Sequence, residues 1–214
     1  MLLQSLGHAM FRLESEGGVV LITDPYGEFY DYPRRKVRAD LCTISHDHHD
    51  HNAAQMLEGE PTVWRTPGPN EANGVRATGT PTWHDDAQGA KRGPNLAFLI
   101  EMDGLRFLHL GDLGHLPTQA QLDAFGAVDV LMLPVGGNYT INAVQAVETM
   151  RLIRPRLTLP MHYQTAYDRD MPVDTEEPFL RLCGVSPQPL PLLRLTRQDI
   201  GEREQIALLT VAAC

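Results

Sequence analysis

Long apolar runs are missing from this 214-residue sequence, and so is any excess of basic charge. No stretch approaches the ~20 consecutive apolar residues that a membrane-spanning helix needs. The start, MLLQSLGHAMFRLESEGG, lacks the basic opening and the extended apolar segment of a secretion signal. Eighteen lysines and arginines stand against 27 acidic residues, a formal net charge of -9. That balance argues against a broad nucleic-acid or anionic-membrane surface, because such partners require a basic field. A small anionic substrate remains compatible, since bound metal supplies local positive charge. Cysteine is scarce as well. Cys42, Cys183 and Cys214 are far apart, contain no Cys-x-x-Cys pair and outline no disulfide framework. Reduced thiols and a cytoplasmic location are the expectation. There is no internal repeat, low-complexity tract or linker, so residues 1–214 read as a single domain with room for a substantial core.

What the chain does have is histidine. Nine are present, and four crowd into Ser45-His46-Asp47-His48-His49-Asp50-His51. Read as His-x-His-x-Asp-His, this stretch packs three imidazoles and one carboxylate together. Neutral nitrogen and anionic oxygen donors at that density suit a borderline-soft divalent cation such as zinc. In an extended segment His46 and His48 project to the same side. Asp50 and His51 follow where the chain would turn, so one loop can feed two neighbouring ions.

The elements around the motif are β-rich at first. Ala9–Glu14 and Val19–Thr23 flank Gly17-Gly18 as a hairpin. Tyr26–Arg38 reads as a loop, Leu41–Ile44 as a buried strand delivering the histidines, and Asn52–Leu57 as a brief helix. Pro61–Trp64 is a further strand, Thr66–Gly74 a loop, and Val75–Thr82 a strand ending near His84. Leu96–Met102 and Leu105–Leu110 surround Asp103-Gly104, the strongest short-range hairpin signal. Strand–helix alternation then begins. It comprises a helix Thr118–Phe125, a strand Val128–Leu133 stopped by Pro134, a helix Ile141–Ile153 with Thr140 as candidate N-cap, and a strand Leu157–Leu159 stopped by proline. A helix Thr175–Leu182 and strands Leu190–Leu195 and Gln205–Val211 complete the chain. The pattern predicts an α/β (α+β) protein, a four-layer αββα sandwich with helices outside two facing sheets.

Further ligand types stand at strand ends: His84, Asp112 and His162. If those ends share an edge, seven donors converge. Several motifs accompany them: Gly7-His8-Ala9, Thr23-Asp24-Pro25, His84-Asp85, Arg92-Gly93-Pro94-Asn95, Gly111-Asp112-Leu113-Gly114-His115, Pro134-Val135-Gly136-Gly137 and Pro160-Met161-His162-Tyr163. In this order and spacing, over nearly the whole chain, the sequence resembles the metallo-β-lactamase-fold superfamily. More narrowly, it is similar to short bacterial metal-dependent hydrolases related to ascorbate-6-phosphate lactonase and to the N-acyl-phosphatidylethanolamine phospholipase D enzymes.

The resemblance implies His46, His48 and His84 on a first metal, Asp50, His51 and His162 on a second, and Asp112 bridging. It implies two Zn2+, with Mn2+ or Fe as alternatives, and a metal-activated hydroxide attacking a carbonyl or phosphoryl centre. Asp50 and Asp112 are the carboxylates expected to take part in catalysis, Asp50 by orienting the water or accepting its proton. The expected substrate is a small lactone or ester-like metabolite, with a small phosphodiester as the alternative. A redox protein with iron in the same ligands is a rival; the complete histidine set and the lack of a flavin domain count against it. The resemblance also implies a homo-oligomer.

Five residues are expected around the centre. Asp24 would orient a metal-bound histidine. His8 would either be structural or reach the pocket. Arg92 would either form a structural ion pair or meet an anionic substrate group. His115 would either line the pocket or hydrogen-bond a nearby loop. Gly137 would either sit in a turn or bring backbone close to substrate. His49 is expected to point away, and His109 to be a satisfied core residue.

Overall fold

The computed structural model describes residues 1–33, 36–198, 200–201 and 205–212. Cys214 and two positions of the expected Tyr26–Arg38 loop therefore lie outside the described residues. In chain order the strands of the first half are β1 (Leu2–Gly7), β2 (Met10–Glu14), β3 (Val20–Thr23), β4 (Leu41–Thr43), β5 (Thr62–Trp64), β6 (Gly68–Ala72), β7 (Val75–Trp83), β8 (Pro94–Met102) and β9 (Leu105–His109). The second half supplies α1 (Gln119–Phe125), β10 (Val130–Pro134), α2 (Ala143–Ile153), β11 (Leu157–Met161), α3 (Glu177–Cys183), β12 (Leu193–Arg194) and β13 (Gln205–Ile206).

Two sheets result, in the orders β12-β1-β2-β3-β4-β5 and β13-β11-β10-β9-β8-β7-β6. Between them lies an apolar layer that includes Leu3, Phe11, Leu21 and Leu41 from one sheet and Phe98, Ile100, Phe107 and Met132 from the other. Phe98 and Phe107 are wholly buried there. Helices α1, α2 and α3 cover the outer face of the larger sheet through Phe125, Val147 and Phe179. The outer face of the smaller sheet is covered differently. Tyr26, Phe29, Tyr32 and Leu57, from segments without regular helix, seal it over Met10, Ile22 and Cys42. The sandwich is thus the expected one, with its fourth layer made of aromatic loop rather than α-helix.

Four local expectations change. Asn52–Leu57 makes only a three-residue 3₁₀ turn, Ala54–Met56. Gly68–Ala72, expected within a loop, is the edge strand β6, paired antiparallel with β7. Its Asn73-Gly74 turn has φ of 53° and 76°, the backbone that matches strand twist in a two-residue hairpin. Pro69 is tolerated because β6 has a neighbour on one side only. The strands expected to stop before Pro134 and Pro160 include them, β10 ending on Pro134 and β11 continuing past Pro160 to Met161. On β11, Met161 accepts from Val135 on the β10 side, while Thr158 accepts from Ala207 on the β13 side. By alternation Pro160 faces the β13 side, where pairing has ended at Thr158, so its missing N–H breaks no ladder bond.

The fourth change is the N-cap of α2. Asn142, not Thr140, holds that position, and its side chain accepts from the Gln145 amide in a capping box. Asn142→Ala is expected to lower stability by ~1 kcal/mol, read as a lower urea midpoint at unchanged slope.

Candidate metal centre

Strand direction explains the convergence. Within the smaller sheet β1, β3 and β4 all run the same way: β2 is antiparallel to β1 and β3, and β4 is parallel to β3. In the larger sheet β7 is two antiparallel steps from β9, and β10 and β11 continue parallel to it. His8 follows β1, Asp24 follows β3, and Ser45–His51 follow β4. His84 follows β7, Asp112 comes soon after β9, and His162 follows β11. Every candidate side chain therefore leaves the C-terminal end of one of these strands, the usual placement for sites in layered folds.

Three of these exits use a left-handed backbone at non-glycine residues: His8 at φ 54°, Asp24 at 38° and His162 at 51°. Each such residue costs about 1–2 kcal/mol, and strain of this kind gathers at functional sites. The turns are held from both sheets. The His162 amide donates to the His8 carbonyl at 3.2 Å, and the Leu96 amide to Ser45 at 2.8 Å.

The side chains meet around Asp112, which is buried. Its Oδ2 lies 3.1 Å from His84 Nε2, 3.1 Å from His162 Nε2, 3.4 Å from His51 Nε2 and 3.9 Å from His46 Nε2. Two triplets flank it. His46, His48 and His84 present ring nitrogens within 4.8 Å of one another, and so do His8, His51 and His162. Asp50 Oδ2 sits at 3.6 Å from His51 Nε2 and 3.3 Å from His8 Nε2. The seven expected ligands are thus gathered in one place, and His8, expected only near the pocket, stands inside the second group with its Nε2 3.1 Å from that of His51.

Supporting hydrogen bonds set which nitrogens face inward. Asp24 accepts from His51 Nδ1 at 3.0 Å and from the Ser45 amide at 2.7 Å. The Ser45 hydroxyl donates to Asp24 and accepts from His46 Nδ1 at 2.8 Å. With both Nδ1 atoms protonated, the Nε2 lone pairs of His46 and His51 are left for a ligand role. Asn95, not singled out for a role from sequence, accepts from the Asp112 amide at 3.0 Å and so fixes that carboxylate's turn. Nothing periodic marks Ser45 or Asn95; only the short Thr-Asp-Pro and Arg-Gly-Pro-Asn motifs hinted at their neighbourhood.

The electrostatics match. Burial pushes the imidazole of His8 down to about 4 and that of His46 to about 3, so both are neutral. Burial also opposes charge on Asp112, but the imidazoles of His162 and His51 hold its carboxyl well below the usual range. His51 is the opposite case. Burial would lower it, yet Asp112 and Asp24 raise it well above an ordinary histidine, so its Nε2 carries a proton that a bound cation would displace. Several buried polar atoms have no protein partner, among them His46 Nε2 and Asp112 Oδ1. Buried polar atoms left unpaired in this way are costly, and a divalent cation would satisfy them. The residues therefore fit a metal.

Above the centre opens a cavity of ≈ 550 Å³, walled by His48, Asp50, His84, Asp112 and His162 and by Phe29, Tyr30, Tyr139, Met171 and Arg92. His49 stands at its rim with an exposed side chain. The four apolar and aromatic walls were not identified from sequence; Phe29 and Tyr30 lie in the aromatic stretch that was read only as a loop. Two expected neighbours take structural places. His115 accepts from the Trp83 amide at 3.1 Å and donates to Leu116 at 2.8 Å, the loop-bonding option. Gly137, at φ 65°, forms the turn before Tyr139 and is not on the cavity wall; the close approach belongs to Gly136, whose backbone packs on the His162 carbonyl. His109 is a buried cross-link, donating from Nε2 to Ala9 at 2.9 Å while its Nδ1 accepts from Gly111 at 3.2 Å. No helix among the described residues is long and apolar enough to cross a membrane.

Residues 2–162 match the family model described as a beta-lactamase superfamily domain. A UPF0173 metal-dependent hydrolase of Thermococcus onnurineus is 30% identical over 188 residues, spanning 75% of this chain and 83% of the relative. A crystal structure from Thermotoga maritima, of a protein described as a candidate Zn-dependent hydrolase of the metallo-beta-lactamase superfamily, is 34% identical. It covers 97% of each chain with a TM-score of 0.82. Igni18, a metallo hydrolase from Ignicoccus hospitalis, shares 22% identity and the fold, covering 91% of this chain and 99% of its own at a TM-score of 0.65.

Proposed function

The chain belongs to the metallo-β-lactamase-fold superfamily and is a metal-dependent hydrolase, and from that premise we propose that it holds two zinc ions and cleaves a small lactone or ester-like metabolite in the cytoplasm. The observation that carries this reading is the pair of three-histidine groups on either side of one buried carboxylate, with His46 Nε2 and Asp112 Oδ1 left unpartnered. His46, His48 and His84 would hold one ion. Asp50, His51 and His162, with His8 beside them, would hold the other, and Asp112 would stand between. Ions bound there supply Lewis acidity and lower the pKa of water.

The chain's own groups do the rest. Asp50 is ionised: burial opposes its charge, but the imidazoles of His8 and His51 hold its carboxyl well below the usual range. Its oxygens reach the cavity, where they orient water against the substrate carbonyl. Asp24 and Ser45 keep two imidazoles in one tautomer. Phe29 and Met171, both buried, form an apolar part of the cavity wall. The acidic balance of the chain agrees with a small-molecule substrate rather than nucleic acid or membrane.

The test is a panel of aryl esters, lactones and bis-aryl phosphodiesters, assayed before and after chelation, with elemental analysis of the purified protein. Ester and lactone hydrolysis is expected to vanish with chelator and to return with Zn2+, at about two zinc per chain. Hydrolysis of the phosphodiester alone would overturn the substrate reading. A stoichiometric, redox-active iron centre would overturn the zinc reading.

A further inference from the structure

One cation in the cavity wall forms no ion pair among the described residues, although Glu28, Asp50 and Asp112 line the same cavity. Among the described residues, Lys91 and Arg92 are the lysine and arginine that line it. Lys91 is exposed and paired, its Nζ donating to Asp86 at 2.6 Å. Arg92 is half-buried, and among the described residues its guanidinium meets no carboxylate. It lies instead over the ring of Tyr139, 5.4 Å from the centroid. In a chain of net charge -9, a guanidinium left without an ion pair beside a reaction cavity needs a reason.

The backbone that presents it is tightly made. His84, a proposed ligand, is followed directly by Asp85, which is buried. The Asp85 carboxylate accepts from the amides of Ala87 at 2.8 Å, Gly89 at 2.9 Å, Lys91 at 2.9 Å and Arg92 at 2.7 Å. One carboxylate thus winds residues 85–92 into a fixed loop that starts at a ligand and ends at Arg92. Tyr139, the platform for the guanidinium, comes from the Gly136–Tyr139 turn, which packs on the His162 carbonyl beside another ligand. Arg92 is therefore held relative to the centre from two directions, on the wall of the cavity.

We infer, resting on the hydrolase reading above, that the substrate carries an oxyanion, a carboxylate or phosphate remote from the bond that is cleaved, and that Arg92 receives it. A planar guanidinium backed by an aromatic face is suited to such a group: it offers paired donors, and stacking holds its orientation. Arg92 is a specificity residue, and the aromatic and Met171 walls take the apolar stem between the two ends.

The experiment compares the p-nitrophenyl monoester of glutaric acid, which keeps a free carboxylate, with its neutral methyl diester counterpart. Zinc-loaded wild type, Arg92→Gln and Arg92→Lys are assayed, and zinc content is measured for each. Wild type is expected to favour the anionic ester in kcat/KM by about tenfold or more. Arg92→Gln should bring that ratio close to one, and Arg92→Lys should restore part of it, with zinc content alike in all three. Calorimetry with glutaranilate and its methyl ester gives a readout independent of turnover. Binding of the anion weakened by Arg92→Gln supports the site. If esters are cleaved with the same anionic-to-neutral ratio in wild type and Arg92→Gln, the anion site falls and the hydrolase reading stands. If no ester is cleaved, the ester reading falls and calorimetry decides the anion site: equal glutaranilate binding by wild type and Arg92→Gln overturns it.

Discussion

Asp112→Asn is expected to lose hydrolytic activity by ~10²–10³-fold or more, together with most of the bound metal. The side chain keeps its shape, so the loss is one of charge. Among the described residues, Asp112 is the only carboxylate within 4 Å of His46, His51, His84 and His162 at once. An amide offers one neutral oxygen where the carboxylate offers two anionic ones, and its NH2 would face imidazole nitrogens that are themselves needed as lone-pair donors. Asp47→Asn is the matched control. Asp47 belongs to the same motif, but its side chain is exposed and meets Arg65 and Asn52. It should leave metal content and rate unchanged. Full metal and full activity in Asp112→Asn would overturn the assignment of the centre.

Gly114→Ala is expected to lower kcat/KM by about 10²-fold and stability by ~1–3 kcal/mol, although it touches no ligand side chain. A Cβ at this glycine would run into the backbone of His84 and Asp85, closer than any real contact allows. Backbone cannot rotate aside as a flexible side chain does. The strand end carrying His84 must shift by about an ångström, which at a reacting centre is enough for a loss of this size. Circular dichroism and zinc content, measured beside activity, separate a displaced His84 from global unfolding. Gly17→Ala, on the exposed turn where the nearest atom to an added Cβ is Ser15 Oγ at 3.7 Å, is the control expected to do neither. Unchanged kcat/KM in Gly114→Ala would show that the His84 loop yields without consequence.

Much of this was legible in the sequence, for identifiable reasons. The β8–β9 hairpin declared itself because Asp103 and Gly104 can both take positive φ, and they do, at 51° and 74°. The His46–His51 motif was readable because its candidate donors are contiguous. His84, Asp112 and His162 were readable because each follows an apolar strand. The same signal was present at Asn73-Gly74 and was hidden by the surrounding glycine and proline, so β6 was missed. His8 was placed only near the pocket. Nothing in Gly-His-Ala tells that a left-handed turn swings its ring within 4.3 Å of the His162 ring. Ser45 and Asn95 were unreadable for a related reason: hydrogen bonds across sheets leave no periodic mark on a chain. The covering of the smaller sheet was misjudged because an aromatic loop can exclude water as well as a helix does, without a helical repeat.

The two histidine groups share a feature of their origin. His46 and His48 leave the smaller sheet and His84 the larger; His8 and His51 leave the smaller sheet and His162 the larger. Each proposed ion would therefore act as a clasp, closing the open end of the sandwich while serving chemistry. Binding energy spent there is folding energy too. Metal depletion would then threaten such a protein twice: it would silence the reaction and remove the proposed rivets between sheets otherwise joined by apolar contact and a few hydrogen bonds. Scarcity of the ion and turnover of the chain become a single variable.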